Sequence, residues 1–311
     1  MEQLLVSVSV ITYNSSKTVL ETLESIKAQT YQNLELIVSD DCSTDNTVEI
    51  CRNWIEQNKD RFVRTELLTV DKNTGVAGNC NRAEAACQGE WVKGIAGDDI
   101  LVEDCIESCV DYVNSCQDVA FLFGKLSAFG ENKEFVRDKE RGFEYSFFSL
   151  TPKQQLDKLM MDGNVLPAPA FFYNRKKYNE LHQDNDTRIP LIEDWPMWIN
   201  MLEKGARFDF IDKVIVLYRI GGISTQTYMS KNYFLSLRMM WFLYQYPYWV
   251  KKFGENVTIN ETIRQEYVYY CSYVDCEKKY LKVIESRAYK IGKFIIAPFA
   301  KLKRIIGWII K

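Results

Sequence analysis

Apolar and polar positions fall into short blocks over the first hundred residues, and the block lengths separate strands from helices. Val6 to Ile11 (VSVSVI) mixes β-branched with small residues and predicts a buried strand. TYNSS breaks it, and Ser15 or Ser16 is placed to cap a helix whose Val19, Leu20, Leu23 and Ile26 recur at helical spacing. A second strand, Leu34 to Ser39, ends on Asp40 and Asp41. The cap-type residues Ser43, Thr44 and Asp45 then open a helix with Val48, Cys51, Trp54 and Ile55 along one side. TELLTV predicts a third strand, and NTGVAGNCNRAEAACQGE a loop running into a third helix. WVKGIA is a fourth strand, and it delivers Gly97, Asp98 and Asp99.

Strand and helix alternating in this way predict a parallel α/β sheet. Such sheets bind ligands in the crevice at the carboxyl ends of their strands. Asp40 with Asp41 and Asp98 with Asp99 both fall at such ends, which puts two acidic pairs on one rim. The later pattern is less regular. Residues 130–150 read as a charged loop followed by an aromatic stretch, IEDWPMWINMLEKGARF as a helix from about Asp194, and FDFIDKVIVLYRIGG as a strand. Pro196 is tolerated in the first turn of that helix. From Tyr228 to Tyr280 the chain is aromatic-rich and reads as helical.

Composition sharpens the class. At 311 residues, 47% hydrophobic and 26% charged, the chain is an ordinary globular one, and a net charge of −3 gives it no basic balance for nucleic acid. The charge is uneven: residues 280–311 hold eight Lys or Arg against Glu285, a net +7 that leaves −10 for the rest. There Ile284, Ala288, Ile291 and Ile295, then Phe299, Leu302, Ile306 and Ile309, recur at helical spacing among the basic residues. That pattern suits a helix lying in a membrane interface, too charged to span it; the alternative is a helix packed on its own domain or a partner. The opening MEQLLVSVSV has no basic leader with a long apolar core, so no secretory signal is expected. Nine cysteines without metal-site spacing fit reduced thiols packed as small hydrophobes.

Acids at Asp98 and Asp99 suit a bridging Mn2+ or Mg2+ ion, which takes one or two carboxylates together with phosphate oxygens. Taken alone, the dipeptide is better read as the N-terminus of a following helix, where acids meet the helix dipole. Glu193 and Asp194, taken by themselves, read as an ordinary helix N-terminus. Trp195 and Trp198 fit a core at their spacing, with Trp195 also placed to touch a ligand. His182, the single histidine, reads as a solvated loop residue.

The motifs in combination say more than any one of them. Thr12-Tyr13-Asn14 ends the first strand, Gln29-Thr30-Tyr31 is followed by Asn33 and Glu35, and Asp40-Asp41-Cys42-Ser43-Thr44-Asp45 ends the second strand. Asn73, Gly75 and Asn81 follow, then Gly97-Asp98-Asp99, LIEDWPMWINM and VLYRIGGIS. Over about residues 5–225 this series resembles the family 2 inverting glycosyltransferases of the GT-A fold. The resemblance implies a Rossmann-like, mostly parallel central sheet flanked by helices, with a C-terminal helical extension. It implies a UDP-sugar donor, with Thr12, Tyr13, Asn14, Asn73 and Asn81 lining the nucleotide and Asp41 accepting from the uracil. Asp98 would sit near the ribose, Asp99 on the metal, and Asp194 would be the general base, with Glu193 its neighbour. Arg219 is a candidate for the diphosphate, or a packing residue.

Two positions depart from the family pattern: Cys42 replaces its glycine, and Gly221 its histidine after YR-x. The expected organisation is a GT-A domain over 1–225, with nucleotide-binding (1–100) and acceptor (101–225) halves, a helical extension over 226–279 and the basic helix over 280–311. The expected setting is the cytoplasmic face of the cell membrane, acting on a glycan or lipid-linked acceptor in polysaccharide assembly. The alternatives are an inactive nucleotide-binding scaffold of this fold and a nucleotidyltransferase; TYNSSKT lacks the glycine-rich basic loop of the latter.

Overall fold

The computed structural model describes residues 3–130, 135–136, 144–182, 184–189, 191–220 and 231–254. The chain forms two compact units, Met1–Tyr248 and Trp249–Lys311. Gly221 and the basic segment 280–311 lie outside the described residues.

The elements run β1 (Val6–Thr12), α1 (Val19–Lys27), β2 (Leu34–Asp40), α2 (Thr47–Asn58), β3 (Arg64–Thr69), α3 (Gly75–Ala86) and β4 (Trp91–Ala96). Then follow β5 (Ile100–Leu101), α4 (Cys105–Ser115), β6 (Phe121–Phe129), β7 (Phe135–Val136), α5 (Pro152–Met161), β8 (Phe171–Asn174) and α6 (Arg175–Leu181). The last are α7 (Asp194–Glu203), β9 (Asp209–Arg219), α8 (Lys231–Met240), a π-helical turn (Trp241–Gln245) and α9 (Tyr246–Phe253). The strands join one sheet in the order β3-β2-β1-β4-β8-β6-β9-β5, with β7 on the side of β6. β3, β2, β1 and β4 are parallel, whereas β8 runs antiparallel to both β4 and β6.

Alternation along the strands feeds two apolar layers. Leu34, Leu36 and Val38 face α1, α2 and α4 in one cluster, while Ile37 faces the other. Phe172 of β8 joins the first cluster; Phe171 and Tyr173 join the second, with α5, α6 and α7. The second layer is aromatic at its centre: Phe123 meets Phe171 at 4.8 Å, Trp198 at 5.2 Å and Phe208 at 5.4 Å. Trp195 and Trp198 of α7 are both buried there, so aromatic packing fixes this helix and the acids at its start.

Two local expectations fail. α1 begins at Val19 behind Thr18, not at Ser15 or Ser16. The Ser15 and Ser16 backbone amides instead donate to Thr47 Oγ1 and Asp45 Oδ2, tying the loop after β1 to the start of α2. His182 is no solvated loop residue. It is 3% exposed, its ring lies 5.0 Å from that of Tyr178, and burial lowers its pKa to about 4.

Candidate active site

Strand register builds the rim. Thr12 stands opposite Asp40 and Ile11 opposite Ala96, so the loops after β1, β2 and β4 emerge level with one another. A Cβ on Gly97 would sit 2.8 Å from Thr12 Cγ2, so only glycine lets the β4 loop close on β1. Asp40 is fully buried and serves this loop: Oδ2 accepts from Thr12 Oγ1 at 2.8 Å and Oδ1 from the Ser43 amide at 2.8 Å. Asn14, at φ +52, accepts from the Thr44 amide at 2.8 Å, while Tyr13 beside it is 49% exposed. Cys42 takes φ +67, which explains in backbone terms why glycine suits that position.

Asp41 is held by α3. Its carboxylate accepts the backbone N–H groups of Thr74 (2.9 Å to Oδ2) and Gly75 (2.8 Å), and Arg82 Nη2 at 3.1 Å. An anion at a helix N-terminus is stabilised by the free amides and the dipole together. Asn73 is exposed and spans this corner, donating to Asp41 O at 3.1 Å. Asn81 points elsewhere: its amide donates to Asn185 O at 3.3 Å and accepts the Asn185 N–H at 2.7 Å.

Asp98 and Asp99 do not begin a helix. Asp104 holds the N-cap position of α4, and β5 lies between. The pair sits in a turn wedged between α1 and β9. Thr22 Oγ1 donates to Asp99 O at 2.7 Å, and the Arg219 N–H to Asp99 Oδ1 at 2.8 Å. The Arg219 side chain lies behind the turn, with Nε on Asp98 O at 2.7 Å, Nη2 on Glu21 at 2.7 Å and the guanidinium 4.6 Å from the Phe129 ring centre. Asp99 is 1% exposed, and burial together with the Asp98 charge pushes its carboxyl well above the usual range. Burial raises Asp98 as well, against the pull of Arg219. Besides the Arg219 amide, the Asp99 carboxylate takes no hydrogen bond among the described residues. Nor do the described residues contain a cluster of three or more His, Cys, Asp or Glu able to hold a metal ion. Two desolvated carboxylates with an open oxygen nevertheless fit a cation whose remaining ligands come from phosphate and water.

Glu193 and Asp194 open α7, both half-buried. Asp194 Oδ1 accepts its neighbour Trp195's N–H at 2.8 Å and Oδ2 accepts Asn164 Nδ2 at 2.8 Å. Burial raises both carboxyls, Asp194 to about 6 and Glu193 to about 8, and the pair is best read as titrating in those two steps. The lower step falls to Asp194 because the donors stabilise its anion. Trp195 is 7% exposed with its indole N–H on Leu159 O at 3.1 Å, so it packs under the site. Cys80 of α3 is a neighbour of this corner: its thiol is pushed well up by burial and then by Glu193, Glu84 and Asp194. Cys80 is five residues past Gly75, or about 7.5 Å along the helix. α3 thus runs from the Asp41 carboxylate towards the acids of α7.

Several residues here carried no signal in the sequence reading. Arg82, beside Asn81 on α3, could have been found by asking what neutralises an acid at the end of β2. Glu84 accepts from Tyr178 at 3.0 Å and is raised to about 7 by burial. Lys93, fully buried, donates to Gly94 O at 2.7 Å and to Pro169 O, and its charge favours the Asp99 anion. Asn164 sits in an unpatterned loop.

The sequence model of Glycosyl transferase family 2 matches residues 7–181. The chain is 28% identical over 220 residues to the glycosyltransferase GlyG of Streptococcus pneumoniae, covering 69% of this chain and 70% of that protein. It is 26% identical over 228 residues to the Escherichia coli UDP-Glc:alpha-D-GlcNAc-diphosphoundecaprenol beta-1,3-glucosyltransferase WfaP, covering 72% and 81%. The fold matches the crystal structure of S. aureus TarS 1-349 in complex with UDP-GlcNAc with a TM-score of 0.59 at 20% identity, over 76% of this chain and 65% of that one. Motif order, sheet topology and these matches agree, and the chain belongs to glycosyl transferase family 2: it is a glycosyltransferase.

Proposed function

We propose that the chain moves a sugar from a UDP-sugar to a hydroxyl of a glycan or lipid-linked acceptor, with inversion, in cell-surface polysaccharide assembly. The observation that carries this reading is the pairing of two unlike acidic corners along α3, one wired to the sheet and one at the start of α7. The name of WfaP, with UDP-Glc as donor and a diphosphoundecaprenol acceptor, and the UDP-GlcNAc in the TarS structure support the donor class and the acceptor class.

In this reading Asp41 and the loop Thr12-Tyr13-Asn14, with Asn73, face the nucleoside, and Asp98 lies by the ribose. Asp99 would hold Mn2+ or Mg2+, which supplies charge neutralisation for the departing diphosphate. Asp194 accepts the proton of the attacking hydroxyl. The Asn164 amide and the Trp195 N–H stabilise the Asp194 anion, so the lower of the pair's two titration steps falls to Asp194, which favours it over Glu193 as the base. Attack on the face opposite the leaving diphosphate inverts the anomeric centre. Arg219, spent on Asp98 O and Glu21, serves by holding the acidic turn.

We divide the chain by role into a catalytic domain over 1–225, a helical extension over 226–279 and a basic segment over 280–311 that docks on the cytoplasmic face of the membrane. No described helix is long and apolar enough to cross a membrane, which is compatible with docking from one side. Deleting 280–311 should release the protein from anionic vesicles, and unchanged binding would sink that part. The catalytic reading is tested by UDP release from UDP-glucose, UDP-galactose, UDP-GlcNAc and UDP-GalNAc with Mn2+ or EDTA. Release from one donor that EDTA abolishes supports it; UDP that binds without any turnover points to an inactive scaffold.

A further inference from the structure

Asn164 lies in the turn between α5 and β8, and both ends of its amide are engaged. Oδ1 accepts the Leu166 N–H at 3.1 Å, which fixes the amide against its own loop. Nδ2 donates to Asp194 Oδ2 at 2.8 Å. Gly163 before it takes φ +106, a turn that side chains rarely adopt, and a Cβ there would meet the Trp195 ring at 3.7 Å. The loop is therefore shaped to bring this amide over the start of α7. The other Asp194 oxygen already accepts the Trp195 N–H at 2.8 Å, so the carboxylate is gripped at both oxygens. Asn164 itself is exposed, so the grip is on the open side of the site.

We propose that Asn164 is a positioning residue for Asp194: its amide holds Oδ2 and sets the direction in which the remaining lone pairs meet the acceptor hydroxyl. This rests on Asp194 being the general base. The surroundings make the donor matter. Glu193 adjoins Asp194 on α7, Cys80 faces it from α3 and Tyr233 from α8, while Glu84 lies near Glu193. The acids raise the proton affinity of this corner, and Asn164 opposes them by donating to the anion.

The test is a 13C titration of aspartate carboxyls in the full chain, with the Asp194 signal assigned by its loss in Asp194→Asn. Wild type should titrate near about 6. A hydrogen bond to a charged group is strong enough that Asn164→Ala should raise the midpoint by about one pH unit. Asn164→Asp keeps the acceptor for Leu166 but sets an anion against Asp194, so its midpoint should rise further. With a midpoint of about 7, turnover at about pH 6 should fall about fivefold, with the donor KM within about twofold. A role confined to holding the loop would lower thermal stability and leave the midpoint still. An unmoved midpoint in both variants, with Asp194→Asn inactive, overturns this inference alone. Turnover that survives Asp194→Asn overturns the base assignment instead.

Discussion

Two pairs of acids, the Asp98–Asp99 turn after β4 and Glu193–Asp194 at the start of α7, carry the same carboxyl chemistry and behave differently. Around Asp98 and Asp99 everything is fixed: a backbone amide, a threonine hydroxyl, a guanidinium and a buried lysine hold or compensate the turn. At Glu193 and Asp194 the acids are half-buried at a helix start and titrate near neutral pH. A rigid, desolvated pair with an open oxygen suits an ion of fixed charge. A carboxyl that gives up its proton near 6 suits proton transfer. The lesson is that burial alone does not assign a role; the donors around each carboxylate do.

The sharpest break in that comparison is Asp194→Asn, which should cost about 10³-fold in kcat while leaving the donor KM nearly unchanged, as expected for a lost general base. Steady-state kinetics with the active donor measure this; a raised KM with intact kcat would erase the distinction between the corners. Arg219→Ala comes next. It frees the acidic turn from Glu21 and Asp98 O, and should lower turnover about tenfold and raise the Mn2+ concentration needed for half-activity. The acid limb set by Asp194 should not move, and a matching shift there would mean that the corners are not separate.

The third prediction concerns stability. Glu84, Glu193 and Asp194 all have folded-state pKa values above their ordinary ones, so their protonated forms favour folding. That contribution is complete below about pH 4 and is lost as pH rises through about 6 to 8. Glu84→Gln keeps an acceptor for Tyr178 and removes one of these charges, so it should gain about 2 kcal/mol at about pH 8 and little at about pH 5. Denaturant melts at the two values check this; an equal effect at both would refute the buried-charge account. The smallest effect is expected at Cys42. Cys42→Gly should change stability by less than about 0.5 kcal/mol, since relief of the left-handed backbone is offset by unfolded-state freedom. Cys42→Val, β-branched at φ +67, should lose about 1–2 kcal/mol. Thermal melts of both variants settle it.

The first corner was far more legible in the sequence than the second. β1, β2 and β4 are parallel strands buried on both faces, so they read as short, largely apolar runs, and β2 and β4 stop at acids. The start of α7 also showed, because Pro196 and the spacing of Trp195 and Trp198 mark a buried helix. β6 and β8 did not: they are aromatic, and Phe121–Phe123 pairs with Phe171–Tyr173 across a long separation that no local pattern reports. α5 carried a readable signal in Thr151-Pro152-Lys153-Gln154, and its capping box is present. His182 misled because its sequence neighbours are polar while its spatial neighbour is the Tyr178 ring. Asn164 is a loop residue whose role depends on a helix thirty residues further along.

The central claim is that the corner after β4 holds the donor through a cation while the corner at α7 does not. Calorimetric titration of UDP with Mn2+ into wild type, Asp99→Asn and Asp194→Asn tests it most directly. The account predicts binding that EDTA abolishes, that Asp99→Asn loses by at least about tenfold, and that Asp194→Asn keeps within about twofold. UDP binding that ignores both EDTA and Asp99→Asn, or that fails in Asp194→Asn alone, would contradict it.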